Sequence, residues 1–415
     1  MSWRTPGFWP TARGWVTLAG ALAITACLLV TPGMLIAGLS AAVWALILVS
    51  LPTAMLSLGG LDLAREPCRD GHCGDVMDLP VTVTNRSRRQ RQSCVVVERC
   101  AFAGDEAQVH AVHSLAPHEC RRVSRRMAAR KRGDYKLGEI VLRGGDPVGL
   151  FMRQRRFHLP AYVRVEPHIK HLAQLPLQLR QYARSSVTGS PIGISGSGQD
   201  FYGIRRYRTS DGMRFIDWKS TARQRRLMVR EFEENVVHHV TIVLDVDRRF
   251  AGGRSPAANF EFLVSAAATI VTHLATMHCR LCLSAPLQPP GLLLEGAATG
   301  LSAAASQRLT LVQPNKCRLR DQLDAVLDLV PSASIVYCLT MGEPEELAHF
   351  AGMLLEQDVE LRWIHAPRAL FADTRRRPTQ RRAIEEVAQR GSRLVQPFIA
   401  DHTTEMAAML EGTAG

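Results

Sequence analysis

Between Gly198 and Glu234 the chain reads GQDFYGIRRYRTSDGMRFIDWKSTARQRRLMVREFEE, its densest mixture of cations, aromatics and carboxylates. Arg205, Arg214, Lys219, Arg223, Arg226 and Arg230 supply the cations, Asp211, Asp217 and Glu231 the acids, and Trp218 a large aromatic. This set suits ion pairing and docking. It lacks histidine and cysteine and offers no nucleophile–base pair, so covalent catalysis is not expected of it. Lys219, Arg223 and Arg226 fall on one helical face, where like charges at i, i+4 cost a few tenths of a kcal/mol. An acidic group should therefore lie opposite. Either Glu231, Glu233 and Glu234 close an internal ionic latch, or an acidic partner docks there.

Short elements must position these groups. Ser210 and Asp211 are good helix N-caps, and Phe215, Trp218 and Ala222 then mark one apolar face of a short helix. From Leu227 to Glu233 the pattern has period two, which predicts a strand. Other chemistry finds little support. The glycine-rich run Gly193–Gly198 lacks the lysine and preceding strand of a phosphate-binding loop. Cys68, His72 and Cys73 begin a metal-ligand spacing that no second close pair completes.

The whole chain has 415 residues and a formal charge of +13, enough length for two or three domains. Arginine is spread through every region and no aromatic-interleaved basic stripe appears, so nucleic acid is not the expected partner. Gly14 to Leu61 carries no Asp, Glu, Lys, Arg or His. A span takes about 20 residues, so residues 1–61 are expected to form a transmembrane hairpin, with helices at about 15–31 and 34–58 turning at Pro32-Gly33. Arg4 and Arg13 before it and Arg65 and Arg69 after it place both ends in the cytoplasm by the positive-inside rule. Ten dispersed cysteines agree with a reducing compartment. Residues 62–170 read as short alternating strands of an antiparallel β-sandwich, with the arginine cluster Arg121–Arg132 on a solvated face. A linker spans 171–199, the segment described above covers 200–236, and 237–415 alternates strand with helix as a doubly wound α/β domain.

The words "GIRRY", Asp211-Gly212, "IDWKSTAR", "VREFE" and a strand ending in Leu244-Asp245, in this order, resemble the signature of bacterial domain-of-unknown-function family number fifty-eight. "RGDYKLG" and "DPVGLF" resemble its second block. The resemblance implies a membrane anchor, a C-terminal domain like von Willebrand factor type A, and work beside a MoxR-type AAA+ ATPase. The resemblance implies no reaction; because the residues assign no nucleophile and no cofactor, a scaffold in the bacterial inner membrane is expected rather than an enzyme, with the lipid bilayer as a further partner and no statement of oligomeric state. Domains of that type hold a divalent cation on Asp-x-Ser-x-Ser. Here the run is Asp245-Val246-Asp247-Arg248-Arg249, so only Asp245 and Asp247 remain as metal candidates, with Thr340 as a neighbouring hydroxyl. Arginine cannot ligate a cation, and Arg248 or Arg249 could replace the metal by pairing with Asp245. A metal-dependent ligand binder is the alternative reading.

Overall fold

The structure is a computed structural model describing residues 7–104, 107–177, 201–207, 213, 216–232, 238–253, 257–277, 279–287, 293–332, 334–342, 344–357, 359–372 and 397–412. It divides into two compact units. Unit one comprises Met1–Lys170 with 253–268 and 306–313; unit two comprises His171–Gly252, Thr269–Ala305 and Pro314–Gly415.

Unit one starts with strand β1 (Phe8–Pro10) and two apolar helices, α1 (Ala12–Val30) and α2 (Met34–Leu56). At 1.5 Å per residue they are about 29 and 35 Å long, against a hydrocarbon core of about 30 Å. Each is long and apolar enough to cross a membrane. Their outward residues are bare hydrocarbon: Met34 and Leu35 at the tip are 96% and 90% exposed. Between the helices Trp44 donates its indole N–H to Thr25 at 3.0 Å, and Thr25 meets the buried Ser40 at 3.1 Å. Small polar contacts of this kind hold helices together where lipid removes the hydrophobic drive.

The sandwich reading of residues 62–170 matches the sheets that follow. Strands β10 (Gly133–Gly145) and β11 (Phe151–Glu166) form a long antiparallel hairpin, extended by β6 (Cys94–Glu98) and β7 (Gln108–Val112). A second sheet contains β2 (Leu61–Arg65), β5 (Val81–Asn85) and β8 (Cys120–Val123). Leu61, Leu63, Val81 and Val83 from the second sheet bury against Val96, Val112, Ile140 and Leu142 from the first. Smaller strands β3 (Gly71–His72), β4 (Val76–Asp78) and β9 (Arg126–Ala128) complete the unit.

Strand β1 was not legible in the sequence, and it fastens the helices to the sandwich. Phe8, Trp9 and Pro10 pair with Arg153, Met152 and Phe151, while the Phe8 and Phe151 rings stack at 5.6 Å. Thr11 caps α1, accepting from the Gly14 N–H at 3.1 Å and donating to the Gly149 carbonyl at 2.6 Å. Gly14 then passes so close that a Cβ there would lie 2.1 Å from the Leu150 carbonyl oxygen.

Two charge expectations are corrected. Arg65 does not flank the hairpin in solution; it pairs inside the sandwich with the buried Glu98. Arg125 and Arg132 do not lie on a solvated face either. Arg125 is fully buried against Glu98 and the Leu79 carbonyl. Arg132 grips Glu261 with two nitrogens and donates to the carbonyls of Leu309 and Thr310 at 2.8 and 3.0 Å. A buried arginine is held by a carboxylate and carbonyls brought in from distant parts of the chain, which alternating sequence patterns do not reveal.

In unit two a six-stranded sheet runs β16-β15-β14-β17-β18-β19. Its members are β14 (His238–Leu244), β15 (Cys279–Ser284), β16 (Leu294–Ala297), β17 (Ile335–Thr340), β18 (Glu360–His365) and β19 (Phe398–Ile399). Only the edge strand β16 pairs antiparallel. Strand β17 is buried at all six positions, as a parallel sheet covered on both faces requires. The helices are α4 (Asn259–Leu274), α5 (Ala298–Leu311), α6 (Leu319–Leu327), α7 (Pro344–Glu356), α8 (Arg368–Ala372) and α9 (Met406–Glu411), the first two being shared with unit one. The part of the expected strand–helix alternation that falls on residues 373–396 lies outside the described residues.

A methyl group at Gly14 must push on backbone, whereas one at Gly20 meets nothing within 4 Å. Gly14→Ala should therefore destabilise the purified protein by about 1–3 kcal/mol. Gly20→Ala should be neutral or stabilising by up to about 1 kcal/mol, since alanine favours a helix. Thermal unfolding in detergent compares the two.

Candidate functional site

The signature segment folds around a two-stranded antiparallel ribbon, β12 (Phe201–Arg206) with β13 (Met228–Phe232), and a helix between them, α3 (Trp218–Gln224). Strand β13 was expected from the period-two pattern. The N-cap was not: Ser210 and Asp211 lie outside the described residues, and Asp217 caps α3 by accepting from the Ser220 N–H at 2.9 Å. The Asp217 N–H donates to the Met228 carbonyl at 2.8 Å, and Thr221 accepts from the Met228 N–H at 3.0 Å. These bonds fasten the start of the helix to β13. Ile216, Met228 and Val229 fill the space beneath and are all under 9% exposed.

The helix itself buries nothing. This corrects the expected apolar face: Trp218 is 68% exposed and Ala222 is exposed as well, while Phe215 lies outside the described residues. It also corrects Asp217, which is 7% exposed and therefore holds the helix instead of meeting a partner. Lys219, Arg223 and Arg226 are exposed, and none forms an ion pair among the described residues. Met213 adds 78% exposed apolar surface and Leu227 adds 44%. The face thus combines a tryptophan with uncompensated cations. Arg214 lies outside the described residues, as do the side chains of Arg205, Arg230 and Glu231. The backbones of those three sit in the ribbon, where Arg205 faces Val229, Arg230 faces Ile204 and Glu231 faces Gly203. Glu233 and Glu234 of the expected latch are also outside it.

Asp245 and Asp247 follow β14, at the point where the strand order of the sheet reverses between β14 and β17. Such a reversal opens a crevice beyond the carboxyl ends of the strands. Asp245 is fully buried, and one of its oxygens accepts from Asp247 N–H at 2.9 Å. Its other oxygen accepts from Met341 and Gly342 N–H at 2.9 and 3.1 Å. Burial raises its pKa from 3.8 to about 6; the three N–H donors work against the rise, and the Asp247 charge adds to it. Asp247 is gripped by Arg249, whose Nη2 lies 2.6 Å and Nε 2.9 Å from one oxygen. Burial pushes the Asp247 pKa up, but the Arg249 hydrogen bonds and charge outweigh it and leave it lowered. The expected salt bridge exists, on Asp247 and not on Asp245. The Thr340 hydroxyl accepts from the Trp363 indole at 2.8 Å and meets His365 Nδ1 at 3.1 Å. With a guanidinium on one carboxylate and the hydroxyl engaged elsewhere, these groups do not fit a divalent cation. Among the described residues no cluster of three histidine, cysteine, aspartate or glutamate side chains has metal-binding geometry.

Residues 203–283 match the family model described as "Protein of unknown function DUF58". The chain is 26% identical over 206 residues to "Uncharacterized protein YeaD" of Bacillus subtilis (strain 168), covering 48% of this chain and 49% of that protein. The chain thus spans about half the length of the curated relative it matches. Together the two matches support the family that the signature words resemble. Among solved structures, a PapD-like domain of human CEP192 aligns over 26% of this chain and 84% of its own, at 9% identity and a TM-score of 0.18. A Listeria innocua beta-glucosidase aligns over 25% of this chain and 16% of its own, at 13% identity and a TM-score of 0.17. Neither score supports a shared fold.

A raised carboxylate pKa makes stability pH-dependent with a fixed sign. Between pH 3.8 and about 6 folded Asp245 keeps a proton that the unfolded chain has released. Its contribution is therefore full below pH 3.8 and is lost as pH rises through about 6. Asp245→Asn should flatten that window in a plot of Tm against pH while leaving the acid limb of other carboxylates in place.

Proposed function

We propose that the chain is a membrane-anchored cytoplasmic interaction protein, using the face of α3 to hold an acidic partner. The carrying observation is Trp218, largely exposed with Lys219 and Arg223 on a helix whose base is fixed by Asp217, Ile216, Met228 and Val229, while Arg226, expected on the same helical face, is exposed just past the left-handed cap at Arg225. Tryptophan and arginine are the residue types that dominate binding energy at interfaces. Free cations raise the rate of encounter with an acidic surface and fix its register. A preformed helix saves the ordering cost that a floppy segment carries.

In this reading α1 and α2 span the bacterial inner membrane as a two-helix, multi-pass anchor with both termini in the cytoplasm. Unit two is a domain of the von Willebrand factor type A kind whose cation position has been replaced by the Asp247–Arg249 pair. The strand order, with one antiparallel edge, supports that assignment. The partner is a MoxR-type AAA+ ATPase, in keeping with the family resemblance, and the chain acts as scaffold rather than enzyme. Asp245, whose carboxyl is raised to about 6 by burial, is tied to three backbone donors.

Charge reversal at Arg223 and Arg226 together should weaken association with the ATPase at least tenfold in a pull-down from solubilised membranes. Both side chains are exposed, so folding stability should change by no more than about 0.5 kcal/mol. Unchanged copurification, with the double variant folded, would count against this face.

A further inference from the structure

A second surface, in unit one, has the makings of a ligand site. A cavity of about 680 Å³ opens where the last turn of α2 meets β1 and β11. Phe8, Pro52, Met55 and Leu56 form an apolar wall, and Arg153 and Arg155 a cationic one. The volume falls in the range of small-molecule pockets, about 300–1,000 Å³.

The two arginines are not neutralised from within. Arg153 forms no hydrogen bond or ion pair among the described residues, although its backbone is fixed by pairing with Phe8. Arg155 spends one nitrogen on the carbonyls of Leu61 and Leu58, at 2.8 and 3.4 Å, and stacks over Phe157 at 4.7 Å. No carboxylate reaches it among the described residues. A third cation, Arg91, lies nearby with its Nη1 on the Leu56 carbonyl at 2.7 Å. Cations are thus gathered at one depth, the end of an apolar helix 23 residues long. Guanidinium groups bind phosphate oxygens in pairs, and basic groups beside a span are attracted to anionic lipid by about 1 kcal/mol each.

We infer that this cavity holds one anionic phospholipid, its phosphate on Arg153 and Arg155 and its upper acyl chain along Pro52, Met55, Leu56 and Phe8. The inference rests on the reading of α1 and α2 as membrane spans. Phospholipid is the occupant favoured over a soluble phosphate because half the wall is hydrocarbon continuous with the exposed apolar side of α2, where Met55 and Leu56 are 50% and 54% exposed.

The test uses the full chain in nanodiscs of phosphatidylcholine with one quarter phosphatidylglycerol, followed by native mass spectrometry of retained lipid. Wild type should keep phosphatidylglycerol in preference to phosphatidylcholine, and Arg153→Gln should weaken that retention about tenfold, the value of one lost charged hydrogen bond. Arg320→Gln, an equal charge loss on the exposed face of α6, should leave it unchanged. Should Arg153→Gln misfold, Arg153→Lys keeps the charge without the paired donors and should still weaken retention measurably. Equal retention of both lipids, wild-type retention in the Arg153 variants, or displacement by soluble glycerol phosphate would overturn the lipid site. A wild-type chain that never enters the nanodisc would instead refute the hairpin reading beneath it.

Discussion

The last carbonyls of a helix have no partner within it. At the end of α2 the Leu56 carbonyl accepts from Arg91 and from the Gly59 N–H, while Arg155 binds the carbonyls of Leu58, in the turn that follows, and of Leu61, on β2. Once those bonds form, the direction of the hairpin relative to the sandwich of unit one is fixed. Strand β1 and the close pass of Gly14 against Leu150 fix the other helix in the same way. The hairpin is therefore joined to the β-sandwich by strand pairing and hydrogen bonds as well as by the chain that connects them.

The formal charge of +13 is misleading when read as surface. Arg65 and Arg125 are spent on Glu98, and Arg132 on Glu261 and two carbonyls, all with almost no exposure. Such groups are costly to desolvate and stabilise only with their full set of partners. Among the described residues, cations without an ion pair include Arg153 at the root of the hairpin in unit one and Lys219 and Arg223 on α3 in unit two. Both places pair them with exposed apolar side chains, which is how recognition surfaces differ from merely soluble ones.

Much of the architecture was legible. The uncharged run from Gly14 to Leu61 gave both helices, and Pro32-Gly33 the break between them, because hydrophobic length is a signal local to the chain. Strand β14 was visible as a continuous apolar run for the same reason. Strand β1 was hidden, since Phe-Trp-Pro becomes a strand only by pairing with β11, well over a hundred residues later. In the signature segment the helix and ribbon could be read, but not which side of the helix is covered. Trp218 looked like core because burial depends on what packs against it, and it is left 68% exposed. Arg249 was recognised as a substitute for a metal, yet its carboxylate was misassigned, because choosing Asp247 over Asp245 depends on the backbone donors of Met341 and Gly342.

The central claim is that an embedded hairpin holds the two folded units on the cytoplasmic face of the membrane. Cys120 on β8 is exposed and lies outside the hairpin, so it reports directly on the compartment. A membrane-impermeant thiol reagent, read out at Cys120 by peptide mass spectrometry, should label inverted inner-membrane vesicles and spare intact spheroplasts. Labelling of Cys120 in intact spheroplasts would contradict the account.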